Sequence, residues 1–241
     1  MAVRALIFDI GGTVFDWNTA MAESFDRLIP GGGGSSFATQ CRAEFLGLNA
    51  AVFRKVVPWM TAEQILLAAI DRCCDRAGLS DLAANDRNDL SRSWRRMPCW
   101  PGAREAIAVL RKRYIVAPLT ILSWPMAVGS SRHSGIDWDS ILSCDVLGIY
   151  KPDPRCYQRA AEILDCPASD IMMVASHPSD LRGAMASGYR SAYVVPRLED
   201  PGDDYRDTGF AAEFDVIARD FSELGEKLDG GEGSTAAWWR S

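Results

Sequence analysis

Short apolar runs recur along this chain, each ending in a polar loop, and that rhythm constrains the fold more than any other feature. Residues 3–8, 114–119, 141–144, 171–175 and 191–195 form such runs, rich in branched or aromatic residues. Helix-like stretches at 102–113, 125–133, 154–164 and 180–187 separate most of them. Strands alternating with helices at this spacing predict an α/β parallel sheet covered on both faces. Ligands bind such a sheet beyond the carboxyl ends of its strands.

Residues 17–97 break the rhythm and read as helices without a strand. A helix is expected over 18–29 with Asn18 as its cap. Pro30 and the glycines at 31–34 then punctuate the chain. Separate helices follow over 37–48, 50–57 and 61–77, with Thr61 and Gln64 forming a capping box and Gly78 ending the third. A last helix covers 85–95, and 97–102 leads back to the sheet. The expected organisation is discontinuous. Residues 1–16 and 98–229 form the core, 17–97 a helical cap, and 230–241 a tail. Residues 199–207 read as an acidic loop, 214–217 as a short final strand and 221–228 as a helix. Trp238 and Trp239 either pack on the body or a partner, or belong to an exposed end.

Composition narrows the partners. With 26 basic and 32 acidic residues the net charge is -6, so no basic surplus points to nucleic acid or an acidic membrane. The apolar region at 114–129 is broken by Pro118 and Pro125 and is too short to span a bilayer. The opening residues lack the long apolar stretch and cleavage signal of a secretory peptide. Seven cysteines, an odd number without a CxxC, fit free thiols in a reducing, cytoplasmic setting. Two histidines exclude a histidine-rich zinc site.

Asp9 follows the first apolar run and precedes Gly11, Gly12 and Thr13. A carboxylate there stands at a strand's carboxyl end, over a loop that can approach a ligand closely. It can equally cap the following turn. The segment is no phosphate-binding P-loop, because the glycine spacing and following lysine are absent. Thr120, Lys151 and Asp180 end or follow later runs, so their loops open on the same side of a parallel sheet. A lysine beside Asp9 would keep the carboxylate ionised and nucleophilic. Asp180 could orient that lysine or a water, or simply form a structural ion pair with it.

The segments FDIGGTVFDW, VAPLT, ILSCDVLGIYKPDPRCY, IMMVASHPSDLRGAMASG and DVIARDFSEL together resemble the haloacid dehalogenase superfamily. They are most similar to its type II, or L-2-haloacid dehalogenase, branch. The resemblance implies a Rossmann-like core with an inserted all-helical cap and a hydrolase acting on a small carboxylate. Asp9 then matches the nucleophile that forms an enzyme ester, and Thr13 supports its carboxylate. Lys151, Ser176 and Asp180 match the remaining catalytic positions. Thr120 matches a hydroxyl that binds the substrate carboxylate. Ile10, Gly11, Trp17, Ile121 and His177 fall where substrate contacts are expected. No cofactor and no metal are implied, and a homodimer is compatible with the resemblance.

Departures from the family pattern qualify these roles. Phosphatases of the superfamily carry a second aspartate where this chain has Gly11, so phosphate transfer is disfavoured. Type II dehalogenases usually have an aromatic residue there, and serine–asparagine where this chain has Thr120 and Ile121. Gly11 should enlarge the pocket and Ile121 make one wall apolar. The branch also uses a cap arginine to receive halide. Ungapped placement puts Thr39 at that position, with Arg42 one turn on. Exposure on its helix is the simpler expectation for Arg42, and reach into the site the alternative. Trp17, Trp59, Trp94 and Trp124 could line the pocket, although burial in the core is the ordinary fate of tryptophan. An alternative reading keeps the nucleophile and opens the ring of azetidine-2-carboxylate, which needs no halide cradle.

Overall fold

A computed structural model describes residues 3–195 and 213–229 of the chain. Six parallel strands are described: β1 (Ala5–Phe8), β2 (Ile115–Thr120), β3 (Leu142–Ser143), β4 (Ile171–Ala175), β5 (Arg190–Val194) and β6 (Val216–Ala218). They lie in the order β3-β2-β1-β4-β5-β6. β1 is central and fully buried, with Leu6 opposite Val116 on one side and Met172 on the other. Continuous apolar runs suit strands covered on both faces. The chain runs outward from β1 through β2 to β3, then crosses to β4 on the other side. That reversal places the loops after β1, β2 and β4 side by side at the carboxyl edge.

The first four helices after β1 are α1 (Trp17–Leu28), α2 (Gly34–Phe53), α3 (Ala62–Arg76) and α4 (Ala84–Arg92), the last followed by a 3-10 turn at Ser93–Arg95. They form the helical cap. Asp16, rather than Asn18, caps α1, accepting from Thr19 N at 2.9 Å. Asn18 is buried and donates to Ser35 O and Thr39 Oγ1 of α2, both at 3.2 Å. The two helices expected over 37–48 and 50–57 are one, because Phe37, Cys41, Phe45, Leu48 and Val52 form a single buried stripe held by α1 and α3. Gly34 opens α2 because a Cβ there would stand 2.4 Å from Ala22 O. The Thr61–Gln64 capping box starts α3 as expected.

The remaining helices are α5 (Ala103–Leu110), α6 (Trp124–Ser134), α7 (Cys144–Leu147), α8 (Pro154–Ile163), α9 (Pro178–Ala186) and α10 (Phe221–Asp229). Cap and sheet share one continuous apolar cluster. Polar ties reinforce it: Ala62 N, at the start of α3, donates to Asp145 Oδ1 at 3.0 Å. Tyr150 Oη donates to the same oxygen at 2.7 Å. The seven cysteines are free, with Cys144 and Cys156 Sγ 3.6 Å apart. Among the described residues no helix is long and apolar enough to cross a membrane. The expected acidic loop at 199–207 and the tail at 230–241, with Trp238 and Trp239, lie outside the described residues.

Candidate active site

The carboxyl edge of β1 carries Asp9, only 5% exposed. Its backbone N–H still pairs with Val174 O of β4, so the strand fixes where the side chain emerges. The chain then turns at once: Val14 and Phe15 N–H donate to Ile10 O, and Gly12 takes φ 93° to allow it. The turn brings Thr13 back under Asp9, and Thr13 Oγ1 donates to Asp9 Oδ2 at 2.8 Å. Ser176 N–H donates to that same Oγ1 at 3.0 Å, locking the hydroxyl from the β4 loop. His177 Nδ1 lies 3.0 Å from Oδ2.

Lys151 joins the two halves of the edge. Its Nζ donates to Asp9 Oδ1 at 3.0 Å, Asp180 Oδ2 at 2.5 Å and Leu119 O at 2.7 Å, which accounts for all three ammonium protons. Tyr157, on α8, donates from Oη to Asp180 Oδ1 at 2.7 Å. Burial alone would raise the Asp9 carboxyl, but Lys151, with His177, outweighs it and holds Asp9 well below the usual carboxylate range. Burial raises Asp180 above its ordinary value, and Asp9 adds to this, although Lys151 and Tyr157 act against it. Burial favours a neutral Lys151, yet the two carboxylates keep it charged and raise it above the ordinary lysine range. Two acids at one ammonium are therefore pushed in opposite directions. Asp9 is set up to stay ionised, and Asp180 to take a proton.

A cleft of about 240 Å³ opens over this array. Asp9, Gly11, Arg42, Ile121, Lys151, His177 and Asp180 line it. Arg42 is 8% exposed, so its simple expectation of an open helix face is corrected. Its Nη2 donates to Gly11 O at 3.2 Å, and its guanidinium lies 5.4, 5.9 and 5.7 Å from the rings of Trp17, Phe45 and Trp94. Three aromatic faces stabilise a buried cation in this way. Thr39 instead faces α1, accepting from Asn18.

Several expected contacts turn inward. Ile10, Thr13, Trp17, Thr120 and Ser176 are buried and do not line the cleft. Ile10 serves the turn, and Trp17 packs beneath Arg42 and edge-on to Trp94. Thr120 Oγ1 accepts from Leu122 N at 3.1 Å, away from the cleft lining. Thr13 and Ser176 act from behind Asp9. None of the four tryptophans lines the cleft: Trp17 and Trp94 are core, and Trp59 and Trp124 are about half exposed. Part of the space beside Gly11 is filled by Leu122, whose Cδ1 would lie 3.4 Å from a Cβ there.

Sequence reasoning missed Tyr157, Leu46, Asn49 and Ser179, which also line the cleft. Tyr157 carried a readable signal. It lies one turn inside a helix capped by Asp153, on that helix's buried stripe with Cys156 and Ala160. Among the described residues no cluster of three or more His, Cys, Asp or Glu side chains is arranged to hold a metal ion.

Comparison with known proteins shows what the chain resembles. A family profile described as a hydrolase, haloacid dehalogenase-like hydrolase, matches residues 3–188. The (S)-2-haloacid dehalogenase 4A of Burkholderia cepacia is 30% identical over 203 residues, covering 80% of this chain and 83% of its own. The crystal structure of a defluorinating L-2-haloacid dehalogenase superposes with a TM-score of 0.88 at 27% identity, covering 94% of this chain and 95% of the other. A second L-2-haloacid dehalogenase structure gives 0.86 at 29% identity, covering 94% and 99%.

Proposed function

The chain belongs to the haloacid dehalogenase-like hydrolases and is a hydrolase of the 2-haloacid dehalogenase type, and on that premise we propose that it hydrolyses small 2-haloacids through an ester on Asp9. One observation carries the reading: the carboxylate of Asp9 lines a small cleft while Lys151, Thr13 and His177 grip it. A carboxylate oxygen of Asp9 attacks the halogen-bearing carbon. The carbon–halogen bond breaks with inversion, and halide leaves with the bonding pair. Arg42, on the cleft wall, receives the departing charge.

Water then attacks Cγ of the Asp9 ester. Asp180, its carboxyl raised by burial, takes one proton from the water and returns it to the leaving oxygen as the acyl–oxygen bond breaks, so the 2-hydroxyacid departs and Asp9 sheds the second water proton to solvent. Lys151 and Thr13 stabilise the oxygen charge that develops on Asp9. Splitting one displacement into two steps is the gain of a covalent intermediate. The cap excludes bulk water and aligns the attack. The ring-opening reading draws no support from the relatives above. The test is a single turnover of 2-chloropropionate in heavy-oxygen water. The label should enter the Asp9 side chain, and the first product should carry an unlabelled hydroxyl. Label in the product alone would refute the ester.

A further inference from the structure

Asn49 lies on α2, seven residues beyond Arg42 and three beyond Leu46, so the three share one helix face, and all three line the cleft that holds Asp9. Asn49 is 6% exposed, and its Nδ2 has no hydrogen-bond partner. A buried amide N–H without an acceptor is destabilising, and folded proteins keep few of them. The local packing gives no reason for an amide here. Leu48 and Val52 beside it are buried and apolar, and leucine is the better helix former. An acceptor entering the cleft would satisfy it.

Given the haloacid reading above, we propose that Asn49 determines specificity by donating from Nδ2 to an acceptor oxygen on the chain of a 2-haloacid, beyond the carbon that Asp9 attacks. Seven residues of helix separate Arg42 and Asn49 by about 10 Å along α2. Arg42 reaches Gly11 O, beside the nucleophile, and Asn49 lies two turns further along the same helix face. Leu46 and Ile121 make the lining between apolar. The fitting ligand has its carboxylate and halogen at one end, a short apolar link, and an ether, carbonyl or hydroxyl oxygen at the other.

The test pairs 2-chloro-4-methoxybutanoate with 2-chlorohexanoate, which differ by one oxygen in place of a methylene, and keeps 2-chloropropionate as the short reference. Chloride release should favour the ether by about tenfold in kcat/KM, through KM rather than kcat. In Asn49→Leu that preference should vanish, the ether losing about tenfold more than 2-chloropropionate. An ether preference that is absent, or that survives in Asn49→Leu, overturns the proposal. So does a large loss on 2-chloropropionate, which would place the amide on the reacting end. Equilibrium binding of the same acids to Asp9→Asn, with and without Asn49→Leu, reads the preference without chemistry. If no acid releases chloride, the haloacid reading fails, and the binding preference alone then decides for or against Asn49.

Discussion

Replacing Lys151 by methionine tests the central electrostatic argument. The side chain is 8% exposed, and its ammonium sits 3.0 Å and 2.5 Å from two buried carboxylates. Each attraction is worth ~5–7 kcal/mol at an effective dielectric of ~20. The desolvation of three charges offsets most of that sum. Removing the cation strands two carboxylates facing one another, which costs about 3–5 kcal/mol. In a chain of this size each kcal/mol moves Tm by about 2–4 °C, so Lys151→Met should melt roughly 6–20 °C lower at pH 7. The sign with pH follows from linkage. Without Lys151 both acids should rise above their unfolded value near ~4. A raised acid costs nothing below that value and its full penalty above the folded one. In the wild type, Asp9 is depressed, so its contribution fades only as pH falls below the unfolded value. Both effects shrink the gap between the proteins toward acid. Thermal melts from pH 8 to pH 4 provide the assay. A gap under about 2 °C at pH 7, or one that stays constant across the range, would refute the reasoning.

Further outcomes follow from neighbouring contacts. Tyr157→Phe removes the hydroxyl that donates to Asp180 at 2.7 Å, so Asp180 should rise further and the acid limb of the hydrolytic step should move to higher pH. An unmoved limb in single-turnover profiles would contradict the proton-acceptor role. Gly183→Ala should reproduce that shift although it improves helix propensity by about 1 kcal/mol, because the new Cβ would stand 2.7 Å from Tyr157 Oη. Arg42→Lys keeps the charge but loses the planar group stacked among three rings. Its kcat/KM should fall by roughly a hundredfold or more, corresponding to about 2.7 kcal/mol, with the far-ultraviolet dichroism unchanged; near-wild-type activity would show that charge alone suffices.

The sheet was legible because buried parallel strands leave uninterrupted apolar runs, and each of the five runs noted in the sequence coincides with a strand to within two residues at either end. Asp9, Lys151 and Asp180 were legible because each follows such a run, and strand order brings their loops to one edge. Arg42 was misjudged for a physical reason. Its aromatic enclosure is assembled from Trp17, Phe45 and Trp94, which lie on three separate elements, and no local pattern announces it. Thr120 lies off the cleft lining because a hydroxyl at a strand end can serve its own loop, here by accepting from Leu122 N. The cap of α1 fell on Asp16 because Asn18 was needed to bind α2. Tyr157 passed unnoticed because an inward tyrosine looks like core until its hydroxyl is seen on Asp180.

The unbroken length of α2 has a consequence for how this enzyme can diversify. Guanidinium and amide ride on one rigid rod, so tilting or sliding it displaces both together and cannot change the interval between them. Adapting to a longer or shorter guest therefore requires relocating a polar residue by a whole turn along the rod, a quantised adjustment of about 5.4 Å. Loop remodelling, the gradual route open to many pockets, leaves that ruler untouched.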